Sequence, residues 1–200
     1  MVSQAERRAA TVGGIEDAAR KLFAARGFAD TTIDDIAAHA GVAKGAVYHH
    51  FSSKEEIFTR VVEAVQAELA AAQIPAAPAK LRDPLDMIAA GVLHYLLAIS
   101  EPAIRRILLI DGPAVLGWQK WRDIDMRYFG ALTKAALAGA LGDRVPPREI
   151  EPLAHLLMGA IMEAALVCAT AEEPKKRAKE LSAGVRALLG GLVQARRRTA

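Results

Sequence analysis

Gly41 constrains this chain more than any other residue. Thr32, with Asp35 three positions on, has the spacing of a helix-opening capping box, and Ile33, Ile36, Ala37 and Ala40 give the segment one apolar face. Only about two turns of helix fit before the glycine, whose freedom to adopt a left-handed backbone suits a sharp joint. A second short helix is expected from about Lys44 to Phe51. Upstream, Ile15, Ala18, Ala19, Leu22 and Phe23 recur at three-and-four spacing in a helix that stops at Gly27. Downstream, Ser53 with Glu56 forms a second capping box, opening a helix striped by Ile57, Phe58, Val61, Val62, Val65 and Leu69 that reaches about Ala72. Residues 1–10 carry Arg7 and Arg8 without apolar periodicity and read as a flexible basic arm.

After residue 72 the punctuation changes. Pro75, Pro78 and Pro84 crowd the stretch "IPAAPAKLRDP", the best candidate boundary between a head at 11–60 and a second domain at 73–200. Asp83 caps the next helix, with Pro84 in its first turn and Leu85, Ile88, Val92, Leu96 and Ile99 as its stripe. Pro102, Gly112-Pro113, Pro146-Pro147 and Pro174 then divide the remainder into helices near 102–110, 114–141, 147–171 and 175–197. The fold class is therefore all-α. Abundant alanine and an aromatic share of only 5% agree with it.

The single cysteine, Cys168, cannot close an intrachain disulfide, and the first thirty residues lack a basic stretch followed by an apolar one, so a cytoplasmic protein is expected. Glu63, Glu68, Arg105 and Glu163 interrupt the greasiest segments, and no membrane partner is expected. A net charge of +3 permits a nucleic acid partner without demanding one. Nucleophile–base pairs, phosphate loops and zinc spacings are not recognisable, so no catalytic residue, cofactor or enzyme activity is expected.

Two short helices joined at a glycine, second and third in a three-helix unit, have the form of a helix-turn-helix. Ala37 lets the helices approach, Gly41 makes the turn, and Val47 plugs the angle between them. The outward positions of the third helix, Lys44, Gly45, Ala46, Tyr48 and His49, are small or hydrogen-bonding, which suits a surface laid against phosphates and base edges better than a merely solvated one. His50 and Lys54 can reach phosphate, and Thr32 stands at the start of the preceding helix. These eight residues are the candidate DNA contacts. His49 and His50 point about 100° apart on a helix and have no carboxylate or thiol at ligand spacing, so no metal is expected. Asp34 is assigned to the helix start, where its charge suits the helix dipole.

The run "TTIDDIAAHAGVAKGAVYHHFSSKEEIF", with "AARKLFAARGF" before it, resembles the DNA-binding domain of the tetracycline-repressor (TetR) family of bacterial transcription regulators over roughly residues 11–60. Ala43 departs from the pattern, standing where the family often has Ser or Thr, so the third helix is expected to lack a side-chain cap. The resemblance implies a C-terminal helical domain that binds a small-molecule effector and pairs with a second copy. It also implies a repressor released from a palindromic double-stranded DNA operator when the effector binds.

Stripes at Leu153, Leu156, Leu157, Ile161 and Ala164, and at Leu181, Val185, Leu188 and Leu192, make the last two long helices the candidate homodimer surface. The stretch "DGPAVLGWQKWRDIDMRYF" concentrates much of a small aromatic inventory. Trp118, Trp121, Met126 and Tyr128, with His94, Tyr95, Met158 and Met162, are the candidate ligand contacts. Two other readings compete: a helical small-molecule-binding protein, and a small helical enzyme built on His94 or His155, neither binding DNA.

Overall fold

The computed structural model describes residues 3–73, 83–142 and 145–197, and among these every regular element is helical. The order is α1 (Gln4–Arg26), α2 (Ile33–Ala40), α3 (Lys44–His50), α4 (Lys54–Gln73), α5 (Pro84–Ile99) and α6 (Pro102–Arg105). A π-helical turn (Arg106–Asp111) follows, then α7 (Gly112–Leu116), α8 (Trp118–Leu141), α9 (Pro147–Thr170) and α10 (Pro174–Arg197). The chain forms two compact units, Met1–Val65 with Pro102–Trp121 and Gln66–Glu101 with Arg122–Ala200. The division falls inside α4 and α8 and places residues 102–121 with the head. The proline-rich stretch expected to mark the boundary lies, from 74 to 82, outside the described residues.

In the first unit, α1 starts at Gln4. Residues 4–10, expected as an arm, are helical because Ser3 and Glu6 form a reciprocal capping box: Ser3 Oγ accepts from Glu6 N–H at 3.1 Å and the Glu6 carboxylate accepts from Ser3 N–H. The head's core joins Ile15, Ala19 and Phe23 of α1 to Ile36, Val47, Phe51, Ile57 and Phe58, all buried. The Phe23 and Phe58 rings meet edge to face at 5.2 Å, and Phe28 closes the cluster.

Lys54, at the start of α4, lies over the Phe28 ring at 4.2 Å and donates to the carbonyls of Phe28 at 2.8 Å and Thr31 at 2.7 Å. Thr31, fully buried, donates to Gly27 O. Lys54→Met leaves two carbonyls of this loop without their donor and is expected to lower unfolding stability by about 1–2 kcal/mol, read from urea denaturation. At the same helix start, Ser53 Oγ accepts from Glu56 N–H, but the Glu56 carboxylate takes the N–H and hydroxyl of Ser52, so the cap is shared between two serines.

In the second unit, Asp83 caps α5 by accepting from Leu85 N–H, with Pro84 in the first turn as expected. Arg186 on α10 bridges Asp83 and Asp86, fastening the start of α5. The late-helix stripes divide. Leu157, Ala164 and Val185 are buried within the chain, whereas Leu156 and Leu188 are 71% and 73% exposed. By length and composition α9 is apolar enough to cross a bilayer, its most apolar window having mean hydropathy 1.7. Glu163, expected to interrupt this segment, does not bring it below that length and hydropathy. Only 33% of that window is buried in the chain itself. The expected helix 114–141 is broken by Gly117, at φ 75°, so α8 begins at Trp118.

Candidate nucleic-acid interface and ligand cavity

Both ends of the helix-turn-helix follow from local chemistry. Thr32 caps α2, its hydroxyl accepting from Asp35 N–H at 3.1 Å while Asp35 accepts from the Thr32 N–H and hydroxyl. These bonds hold the Asp35 carboxyl below its ordinary value, and Arg26 pairs with it as well. Gly41 ends α2 in the left-handed region, at φ 67° and ψ 30°. Val47 is fully buried and Ala37 nearly so, which fixes the angle between α2 and α3. Ala43 offers α3 no side-chain cap.

Six of the eight candidate DNA contacts stand on α3. Lys44, Gly45, Tyr48 and His49 are exposed, Tyr48 at 52%, while Ala46 and His50 are half-buried. A Cβ at Gly45 would meet nothing, so that side of α3 is open. His50 turns Nδ1 inward, where it meets no hydrogen-bond partner among the described residues, and its ring lies edge-on to His49 at 5.0 Å. The other two candidates are engaged locally: Thr32 in its cap and Lys54 with the Phe28–Thr31 loop.

Lys44 is not a bare charge. It donates to Asp34 at 2.9 Å, and that bond holds its ammonium above its ordinary pKa. Asp34 therefore does more than serve the start of α2, since any phosphate reaching Lys44 must displace it. Asp34→Asn is expected to tighten duplex binding several-fold and to steepen its salt dependence, measured by fluorescence anisotropy across a salt series.

Sequence reasoning missed the hold that residues 102–121 take on the head. Asp111 Oδ2 accepts from Phe28 N–H at 2.9 Å. Gly27, at φ 88°, brings the backbone so close that a Cβ there would lie 3.1 Å from Arg106 Nη1 and 3.3 Å from Asp111 Oδ2. The Trp121 indole packs on Gly112, where a Cβ would be 2.8 Å from Nε1, and Trp118, largely exposed, pairs with it at 5.2 Å. Both tryptophans thus belong to the head unit.

The second unit holds a cavity of about 500 Å³. Its walls are apolar, with Met87, Ile88, Val92, Phe129 and Leu157 among them, and its polar groups come from Gln73, Tyr95, Asp125 and Thr133. Of the eight candidate ligand contacts, Tyr95, Met158 and Met162 line it. His94 is not among the lining residues; its Nδ1 lies 3.4 Å from Nε2 of Gln73, which is. Met126, Tyr128, Trp118 and Trp121 are not among the lining residues. Asp125 and Phe129 were missed, although Asp125, Phe129, Leu132 and Ala136 recur along α8 at three-and-four spacing, a signal of one inward face.

Asp125 is only 4% exposed and accepts from Arg122 Nη1 at 2.7 Å. Burial pushes its carboxyl up to about 6, with Arg122 only partly countering. Tyr95 is 6% exposed, its ring edge-on to Phe129 at 5.3 Å, and its hydroxyl meets no hydrogen-bond partner among the described residues. Burial, with Asp125 adding to it, raises the phenol well above its ordinary pKa. Among the described residues no three His, Cys, Asp or Glu side chains converge as a metal-holding group.

A helix-turn-helix head and a second helical unit with an apolar cavity define a two-part helical protein. The chain belongs to the TetR family: the model of bacterial regulatory proteins of the tetR family matches residues 15–61, and that of the tetracyclin repressor-like C-terminal domain matches 85–192, more than half of the chain. A TetR-family transcriptional regulator from Pectobacterium atrosepticum has a crystal structure that superposes with TM-score 0.78 at 30% identity, over 95% of this chain and 97% of that one. The transcriptional regulator AcrR of Shigella flexneri is 30% identical over 95 residues, 48% of this chain and 44% of its own length. RolR in complex with resorcinol shares the fold alone, with TM-score 0.72 and 19% identity over 98% of this chain and 95% of that one. The chain spans less than half the length of the curated relatives it matches first.

Proposed function

We propose that the protein is a homodimeric transcriptional repressor, without enzymatic activity, that binds a palindromic operator in the cytoplasm and releases it when a small molecule fills the cavity of the second unit. The observation that carries the reading is the surface of α3. Lys44, Gly45, Tyr48 and His49 are exposed together on a helix of seven residues that Val47 anchors from behind. An exposed tyrosine beside a glycine with open space around it favours close approach to a duplex, where small residues admit phosphate and the phenol donates to it.

Leu156 and Leu188, open to solvent on α9 and α10, support pairing through those helices. In such a dimer two copies of α3 would enter successive major grooves about 34–36 Å apart, and the operator would mirror the protein's twofold symmetry. The effector can shift the heads only by as much as its affinity differs between the DNA-competent and released states.

Selection of bound duplexes from a random pool tests the reading, with inverted half-sites as the expected product. On a selected duplex, Tyr48→Ala and Lys44→Ala should each weaken binding by about tenfold, in line with losing one positioned contact. Equal binding by wild type and both variants would remove α3 from the account.

A further inference from the structure

We propose that the cavity of the second unit takes an uncharged, flat aromatic molecule bearing a hydroxyl group, a phenol, with that hydroxyl held between Tyr95 and Asp125. The inference rests on the reading of this cavity as the effector site and adds the chemical class of the effector.

Two polar groups stand in an otherwise apolar chamber. Tyr95 is 6% exposed and its hydroxyl meets no hydrogen-bond partner among the described residues, a state rare for a buried donor. Asp125 is equally enclosed; Arg122 takes its Oδ2, and the carboxylate retains further acceptor capacity. A ligand that meets both accepts a hydrogen bond from the Tyr95 hydroxyl and donates one to Asp125. A hydroxyl does both with one atom.

The alternatives each leave a deficit. A carboxylate or phosphate brings a negative charge against Asp125, whose neighbouring cation, Arg122, is already engaged. An ether or ketone accepts from Tyr95 but gives Asp125 nothing beyond its bond from Arg122. An ammonium pairs with Asp125 but gives Tyr95 no acceptor and buries its charge among apolar walls.

The walls select the body of the molecule. Phe129 stands edge-on to Tyr95, at 72° between planes, and the thioethers of Met87, Met158 and Met162 line the same chamber. Aromatic edges and polarizable sulfur both favour a flat π-face. A volume of about 500 Å³ has room for more than one ring.

Titration of the full chain with 2-naphthol, naphthalene and 2-naphthoate at neutral pH tests this. 2-Naphthol is expected to bind at least tenfold more tightly than naphthalene and a hundredfold more tightly than 2-naphthoate. Tyr95→Phe should weaken 2-naphthol by threefold or more while leaving naphthalene unchanged, and Asp125→Asn should likewise weaken 2-naphthol alone, by threefold or more.

Ala136→Trp, at the exposed mouth of the cavity, serves as a plug that folding should tolerate. If the plug abolishes binding but 2-naphthoate rivals 2-naphthol, or Tyr95→Phe changes nothing, the phenol class is overturned and the cavity reading stands. If binding persists undiminished in the plugged protein, the cavity is not the site and the underlying reading fails. Failure of all three probes to bind overturns the phenol class.

Discussion

Leu156→Glu combined with Leu188→Glu is expected to convert the protein to a monomer and to abolish measurable operator binding. These leucines, 71% and 73% exposed, are the most open large apolar side chains on α9 and α10. In a twofold interface each appears twice, so the pair of substitutions buries four carboxylates where four leucines would pack. Burying a leucine is worth roughly 1.5–3 kcal/mol, and an unpaired charge in its place is a further penalty. A dissociation constant at least a hundredfold higher, about 3 kcal/mol, is a conservative expectation. Operator binding falls with it, because the second head then binds as an independent molecule and loses the effective concentration that dimerisation gives it. Sedimentation velocity at micromolar concentration reads the first effect and gel retardation the second. A dimer that survives both substitutions would place the interface elsewhere.

The second large effect concerns acid–base balance at Asp125. Its carboxyl titrates in the folded protein at about 6, against the ordinary 3.8, because burial opposes the charge more than Arg122 supports it. The folded state therefore keeps its proton over a range in which the unfolded chain has lost it. Stability from this group is fully present below the unfolded pKa and is lost as pH rises through the folded one. The groups facing the carboxyl are the Arg122 guanidinium and the Tyr95 phenol, and burial raises the phenol well above its ordinary pKa. Asp125→Asn, which mimics the protonated form, should leave stability at pH 4 nearly unchanged and raise it at pH 8 by about 2–3 kcal/mol, since each pKa unit corresponds to about 1.4 kcal/mol. Urea denaturation at the two pH values decides the matter, and equal gains at both would show that the carboxyl is not ionised at a cost. A carboxylate retained where an amide would be more stable fits a group kept for binding.

What was legible in the chain follows the range of the interactions. The head could be read because its signals are local. The Thr32 cap, the Gly41 turn and the Val47 plug lie within sixteen residues of one another, and each demands a particular residue type. The absent cap at Ala43 was legible for the same reason. The arm was misjudged because α1 announces its start by Ser3 and Glu6 and not by apolar residues, and the first buried side chain comes only at Ile15. Glu56 chose Ser52 over Ser53, a choice between adjacent donors that spacing cannot settle.

The cavity was half legible. Tyr95, Met158 and Met162 were found by type, but the aromatic cluster drew attention to the N-terminal end of α8, where Trp118 and Trp121 serve the head. Which face of α8 turns inward depends on partners outside it, such as Tyr95 of α5 against Phe129, thirty-four residues apart. Asp125, a charge in an apolar chamber, is the residue that composition argues against most strongly. Nor does anything near Phe28 foretell that its N–H is met by Asp111, eighty-three residues on.

That last bond bears on anyone wishing to graft this reader onto another sensor. A fragment ending at Val65 would strip Asp111 from Phe28 and Arg106 from Gly27, opening the loop that Lys54 also fastens. A working chimera must carry Pro102–Trp121 along with residues 1–65, splicing the donor chain at three seams instead of one. Exchange between relatives is therefore easier by rewriting α3 in place than by shuffling whole pieces.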